Sequence, residues 1–416
     1  MLLLQIERKP PSVPEKKGLI FGLLSIFLCG LGLSIITPII PFLVAPYVAT
    51  PESQAFIVTA LTSVYAICVF FASPVLGTLS DRLGRRPVLL VCLFGAATGY
   101  LIFGIGGALW VLFLGRILEG ITGGSISTLF AYFADITPES ERTKYFGWVS
   151  ALFGTGVAIG PTIGGVLAHF GYATPMFFGA AVTFLNFLFG ILYIPESLTR
   201  GKRLKRIERS QLNPFTQLVQ LFSMKHLARL FIAGFLIWIP NGSLQAIFSQ
   251  FTKDTFQWQP VLIGLTFSIM GIQDIVAQGF VMPQLLKKLN DTGIARLGLG
   301  LDVVGYLFIA SSAIFQFAPL FILGMFVFGF GDSLFGPAFN GILSKSVSSS
   351  EQGRIQGSSQ SVQSLARIIG PLIGGQIYVS LGHAAPAVMG ALLISLAIPI
   401  LTHQQNGNVT SKNKVK

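Results

Sequence analysis

Six charged residues interrupt long apolar stretches of the sequence: Arg116, Glu119, Asp274, Asp302, Asp332 and Arg367. Their chemistry is ion pairing and proton exchange. A charge at mid-membrane is costly, so each should face a polar cavity or a partner. Arg116 and Glu119 are three residues apart, on one face of a helix, and can pair. The four acids outnumber the two arginines, so the embedded charge is negative when all are ionised. A carboxyl that takes a proton on one side and releases it on the other can couple transport to a proton gradient. Glu119, Asp302, Asp332 and Asp274 are the candidates for that role, with Arg116 beside Glu119. Three of them have a structural alternative: a static Arg116–Glu119 pair, a packing hydrogen bond at Asp302, and an Asp274–Arg367 pair.

Trp238, Asn241, Gln245 and Ser249 recur at helical spacing on one face. Tryptophan and amides suit an aromatic or amphipathic organic molecule, and they serve ordinary hydrogen bonding between helices equally well. Trp238, Asn241 and Gln245, with Arg116 and Glu119, are the candidate substrate contacts. The four histidines, His169, His226, His383 and His403, have no metal-ligand spacing. Cys29, Cys68 and Cys92 form no CxxC pair, and no GxxxxGK[ST] loop is present. No metal, cofactor or catalytic residue is therefore expected, and the chain is not read as an enzyme.

Two further patterns are backbone devices. Gly77-x-Leu79-x-Asp81-Arg82-x-Gly84-Arg85-Arg86-Pro87 combines a glycine for a tight reversal with an acid amid three arginines. A salt-bridge cluster of this kind can hold one conformation and break in another. Gly147-x8-Gly156-x3-Gly160-Pro161-x2-Gly164-Gly165 removes side chains in order, which lets a second helix approach closely.

The elements that position these residues are membrane helices. The chain has 416 residues, 52% of them apolar and 11% charged. A soluble domain carries about 25% charged residues. A spanning helix needs about 20 apolar residues. Twelve such stretches are read at 19–45, 55–79, 88–106, 109–133, 146–168, 174–194, 230–249, 261–283, 296–315, 319–343, 355–379 and 385–401, here spans 1 to 12. This leaves a tail at 1–18, six spans over 19–194, a central loop at 195–229, six spans over 230–401 and a tail at 402–416. The fold class is an all-α membrane protein with two pseudo-symmetric six-helix bundles. Residues 141–165 align with 351–375 at a constant offset, matching Gly160-Pro161 to Gly370-Pro371 and Gly164-Gly165 to Gly374-Gly375.

Of the 28 Lys and Arg, 25 fall in segments on the N-terminal side of the membrane, and only Lys253 falls opposite. This bias predicts both termini in the cytoplasm. It also accounts for the net charge of +12 through topology and anionic lipid, with no nucleic-acid partner.

The glycine-arginine loop, Arg116-x2-Glu119-Gly120, the span 5 pattern, Ala134-Asp135-Ile-Thr-Pro138-Glu139-x2-Arg142 and Pro195-Glu196-Ser197 resemble the major facilitator superfamily. More narrowly, they resemble its twelve-span drug:proton antiporters, near the tetracycline exporters. The resemblance covers essentially the whole chain. It implies spans 1, 4, 7 and 10 around a cavity, so that Arg116, Glu119 and Asp332 face it. Asp302-Val-Val-Gly305-Tyr306 is similar to those exporters' acidic segment in span 9. The chain departs from them in carrying Cys29 and Gly99 where they carry acids, and in having Glu119, Asp274 and Asp332. The function this implies is export of a small organic compound by proton antiport through alternating access. A metabolite facilitator or proton symporter is the alternative. The expected partners are the substrate, protons and the bilayer, and the expected form is a monomer in the inner membrane.

Overall fold

The computed structural model describes residues 16–138, 142–198, 201, 203, 204, 207, 212–215, 227–346 and 352–412. Most of the basic run at 201–209, Glu139, Glu141, Glu351 and the ends of both tails lie outside them. Eleven described helices are long and apolar enough to cross a membrane, and Ala385–Leu401 is a shorter apolar helix that completes twelve. Helix is the form such stretches take, because hydrocarbon offers no other partner to backbone N–H and C=O groups.

Several spans differ from the even helices expected. Span 1 is helical only over Lys16–Ile35; after a break around Pro38 the chain resumes as short helical turns at Ile40–Val44 and Ala45–Tyr47. Proline has no N–H to give the preceding turn, and Pro38, Pro41 and Pro46 concentrate that defect here. Span 4 is two helices, Leu109–Gly123 and Ser125–Ile136, broken at Gly124. A Cβ on Gly124 would lie 2.8 Å from the Cα of Ser73, so the backbone of span 2 occupies the space a side chain would need. Span 8 passes from Pro260–Val276 through a π-helical turn at Ala277–Val281. Pro283 lies just beyond, where its missing N–H removes a regular helix hydrogen bond. Span 7 runs longer than expected, over Ala228–Phe256, which places Lys253 in its last turn.

The chain divides into two units. The first holds residues 1–39 and 64–214, the second 40–63 and 215–416, with the boundary inside the long helix Pro51–Leu83 of span 2. In the first unit span 1 packs on span 5, and span 3 on spans 4 and 6. In the second, span 7 packs on span 11, and span 9 on spans 10 and 12. The same pairings recur at matching places, as the internal sequence repeat requires.

The glycine pattern explains the first of these pairings. Cβ atoms on Gly156, Gly160 and Gly164 would run into the backbone or Ser34 of span 1, along Phe27 to Ile35. The register is one helical turn per glycine, so span 1 lies flat against this stripe. Gly370 and Gly374 do the same against Ile239 and Ser243 of span 7. Gly147 meets nothing within 4 Å, so it is not a contact point of this stripe.

Candidate functional site

The loop between spans 2 and 3 gathers three separate sequence motifs. Gly84 ends span 2 with φ of +113°, a conformation that favours glycine. A side chain there would also collide with the carboxylate of Glu196. Arg85 is the hub. Its guanidinium lies 2.5 Å from Asp81 and 3.1 Å from Asp135, and it donates to Ser80 Oγ at 2.6 Å. Its backbone N–H donates to Glu196 Oε1 at 2.8 Å, which caps the start of span 3 with a negative charge. Glu196 also accepts from the N–H of Leu198 and pairs with Arg203 at 3.7 Å. Ser197 donates to Asp135, and Arg86 to the carbonyl of Ile191. Arg82 is exposed at the end of span 2, and Gly77 faces only Ser127 at ordinary contact distance. Spacing alone did not bring Asp135 and Glu196 to Arg85; they lie 50 and 111 residues away.

This cluster has the form of a latch whose parts belong to spans 2, 3, 4 and the segment after span 6. Asp81→Asn and Arg85→Ala are therefore expected to slow transport about tenfold while protein levels stay near normal, the size of a modest conformational coupling. Transport rates in vesicles check this. Wild-type rates in both variants would leave the loop with a topological role only.

The second cluster lies inside the first unit. Arg116 and Glu119 form an ion pair, with exposures of 4% and 3%, as their spacing predicts. The pairing uses Glu119 Oε2; Oε1 is buried without a hydrogen-bond partner. The Arg116 guanidinium lies over the ring of Tyr65 from span 2, 4.3 Å from its centre. Gly99 of span 3 makes room for the acid, since a Cβ there would fall 2.8 Å from Glu119 Cγ. Glu119, Tyr65, Tyr100, Cys29, Cys92 and Ser125 line a cavity of about 50 Å³. That is room for water, which needs about 10–15 Å³ and polar partners.

The third cluster lies in the second unit. Asn241 of span 7 donates to Asp332 Oδ1 of span 10 at 2.8 Å and accepts from the hydroxyl of Tyr306 of span 9 at 3.2 Å. Asp302 is 0% exposed, and neither carboxyl oxygen has a hydrogen-bond partner. Spans 9 and 10 close around it where Gly298 and Gly331 bring their backbones together. Asp302 is within electrostatic reach of Asp332, and Asp332 of Asp274. Asp274 accepts from Gln278 at 2.7 Å, beside the π-helical turn. No ion pair to Asp274, Asp302 or Asp332 occurs among the described residues. Trp238 sits edge-on to Phe339 at 5.3 Å, Gln245 is exposed and Ser249 is buried. The sequence face of span 7 is thus divided: Trp238 packs on an aromatic, while Asn241 joins the acids. Among the described residues, no group of three or more His, Cys, Asp or Glu is placed to hold a metal.

Twelve apolar helices in two repeated units, with charged side chains inside them and an ion-pair cluster around Arg85 in the loop between spans 2 and 3, have the architecture of a secondary transporter. The family model of the Major Facilitator Superfamily matches residues 22–371 and 294–406, and the chain belongs to that superfamily. Within it, the chain stands near the tetracycline exporters. It is 34% identical over 401 residues to the class C tetracycline resistance protein of Escherichia coli, covering 95% of this chain and 99% of that one. It is 30% identical over 377 residues to multidrug resistance protein 2 of Bacillus subtilis, covering 88% and 90%. Among solved structures, a human organic anion transporter superposes with a TM-score of 0.69 at 22% identity, over 95% of this chain and all of that one. A nucleoside transporter superposes at 0.73 and 15% identity, over 94% of this chain and all of that one. These two likenesses bear on the fold.

Proposed function

We propose that this chain exports small, drug-like or amphipathic organic compounds in exchange for protons, by alternating access. Resemblance to tetracycline and multidrug resistance proteins supports the class of substrate. The observation that carries the coupling mechanism is Asp302, a carboxyl with no exposure and no hydrogen-bond partner, together with an ion-paired Glu119 that keeps one oxygen unpartnered. An ionised carboxylate buried without partners is strongly disfavoured, so such groups are suited to gaining and losing a proton rather than to fixing helices. Glu119 and Asp302 are the principal exchanging groups, and Asp332 and Asp274 support Asp302. Arg116 and Glu119 in one unit, and Trp238, Asn241 and Gln245 in the other, contact substrate. The six-helix bundles run over 19–194 and 230–401. The protein lies in the inner membrane with both termini in the cytoplasm, from the Lys and Arg bias, and works as a monomer.

Accumulation of tetracycline and ethidium in cells lacking their main pumps tests this reading. Cells with the protein are expected to accumulate at least one probe several-fold less, and a protonophore should erase the difference. Equal accumulation of both probes, or a difference that survives the protonophore, overturns it.

A further inference from the structure

The Arg116–Glu119 pair poses a physical problem for proton exchange. Removing one partner of a buried pair leaves an uncompensated charge, which is strongly unfavourable. When Glu119 takes a proton, Arg116 loses its counter-charge while still 4% exposed. The guanidinium then needs another favourable contact, or the proton cannot be held. Among the described residues the contacts of Arg116 are Glu119 and the face of the Tyr65 ring, and its Nε has no hydrogen-bond partner. A ring face attracts a cation through its quadrupole, and more strongly where water is excluded.

We propose that Tyr65 is a positioning residue for proton exchange at Glu119, its ring face being the second seat of the Arg116 cation while the carboxyl is neutral. This rests on the reading of Glu119 as a proton-exchanging group. The geometry favours it in two ways. Tyr65 comes from span 2 and Arg116 from span 4, so the ring stays in place whatever the charge of Glu119. The pocket around Glu119 is also already shaped for a side chain that changes state: Gly99 leaves it space, and its unpartnered Oε1 is in a residue lining the cavity. The titratable groups facing Glu119 are Arg116 on its own helix, Tyr65 of span 2, Tyr100 and Cys92 of span 3, and Cys29 of span 1. Of these, only Arg116 is a cation, so the response of Glu119 to protons depends on how that one charge is held.

The sign follows. With Glu119 ionised, the carboxylate itself stabilises Arg116 and the ring matters little. With Glu119 neutral, the ring is what remains. Losing the ring face therefore penalises the protonated state, and a higher proton concentration is needed to reach it.

The experiment is gradient-driven flux of tetracycline or ethidium, whichever is exported, in vesicles holding the full chain at a series of pH values. Tyr65→Phe keeps the ring face and should retain the wild-type profile. Tyr65→Leu and Tyr65→Met remove it and should move the midpoint about one pH unit to the acid side, a tenfold change in proton concentration. An unmoved profile in the Leu and Met variants overturns the proposal. A shift in the Phe variant equal to theirs does the same, since it would assign the effect to the hydroxyl. If neither aliphatic variant accumulates, Tyr65→Phe still tests the proposal: a profile displaced to the acid side overturns it, because the ring face is kept. Glu119→Gln alone separates the two claims. Normal coupling there sinks the reading of Glu119, whereas lost coupling with an unmoved Leu profile sinks only the role of Tyr65.

Discussion

Flux against an imposed pH gradient is expected to fall to background in Glu119→Gln and in Asp302→Asn, with protein levels close to wild type. Both substitutions keep the side-chain shape and remove the site for an exchangeable proton. At Glu119 the amide oxygen can still accept from Arg116, so the pair's geometry survives while its charge balance does not. At Asp302 the surroundings hold no hydrogen-bond partner for either oxygen, so no interaction is broken by the change. A loss of coupling there is consequently not a loss of fold. Exchange of substrate without a gradient should persist in at least one variant, because exchange does not require the proton to be released. Arg116→Ala should be at least as damaging as Glu119→Gln. It leaves a buried carboxylate without its cation, a change worth about 3–5 kcal/mol in comparable pairs. Wild-type flux that ignores the gradient, or normal coupling in both neutral variants, would refute proton antiport through these residues.

The contrast between the two units bears on how the roles divide. In the first, the embedded acid has its cation three residues away, and a cavity adjoins it. In the second, Asp274, Asp302 and Asp332 have no ion pair among the described residues, and an amide and a tyrosine hydroxyl link Asp332 to span 9. A proton arriving at Glu119 can add to Oε1, the oxygen Arg116 does not engage, and it then removes the arginine's counter-charge. One arriving at Asp302 must enter a closed contact between spans 9 and 10. The second step therefore requires those spans to part where Gly298 and Gly331 meet, which ties proton access at Asp302 to helix motion.

How much of this could be read from the residues alone depends on the range of each interaction. The Arg116–Glu119 pair was legible because both ends lie on one turn of helix. The spans were legible because hydropathy over about 20 residues is a local property. The Arg85 hub was half legible: Asp81 is four residues away, but Asp135 and Glu196 reach it only once spans 4 and 6 are in place. Tyr65 carried no signal at all, since an aromatic in an apolar helix looks like any other core residue. The isolation of Asp302 was invisible for the same reason. Its place in span 9 left a proton site and a packing hydrogen bond both open, and only the packing of Gly298 against Gly331 shows it closed off, with neither carboxyl oxygen hydrogen-bonded. The breaks in spans 1 and 4 were missed because hydropathy runs through proline and glycine without registering the lost hydrogen bonds.

The ordered glycines of span 5 lead to a result of similar size. Gly156→Leu and Gly160→Leu are expected to cut transport by at least about tenfold, whereas Gly154→Leu and Gly147→Leu should remain close to wild type. The difference comes from what each side chain would meet. At Gly156 a Cβ would run into the backbone of Phe27 and Leu31, and at Gly160 into Ser34 and Leu31. Backbone cannot rotate away as a flexible side chain can. Overpacking ordinarily costs about 1–3 kcal/mol, and here it must be relieved by moving span 1 off span 5. At Gly154 and Gly147 nothing lies within 4 Å, so a leucine there meets open space. Span 1 carries Cys29 toward the Glu119 cavity, so its displacement should disturb that site as well as stability. Gly160→Ala provides the graded case. A methyl alone already meets Ser34 Oγ, and Ser34→Ala should relieve part of the loss. Transport normalised to the amount of folded protein in detergent measures every one of these variants. Equal tolerance at 147, 154, 156 and 160 would mean that the stripe is not a contact surface, and that glycine in span 5 serves some purpose other than bringing span 1 close.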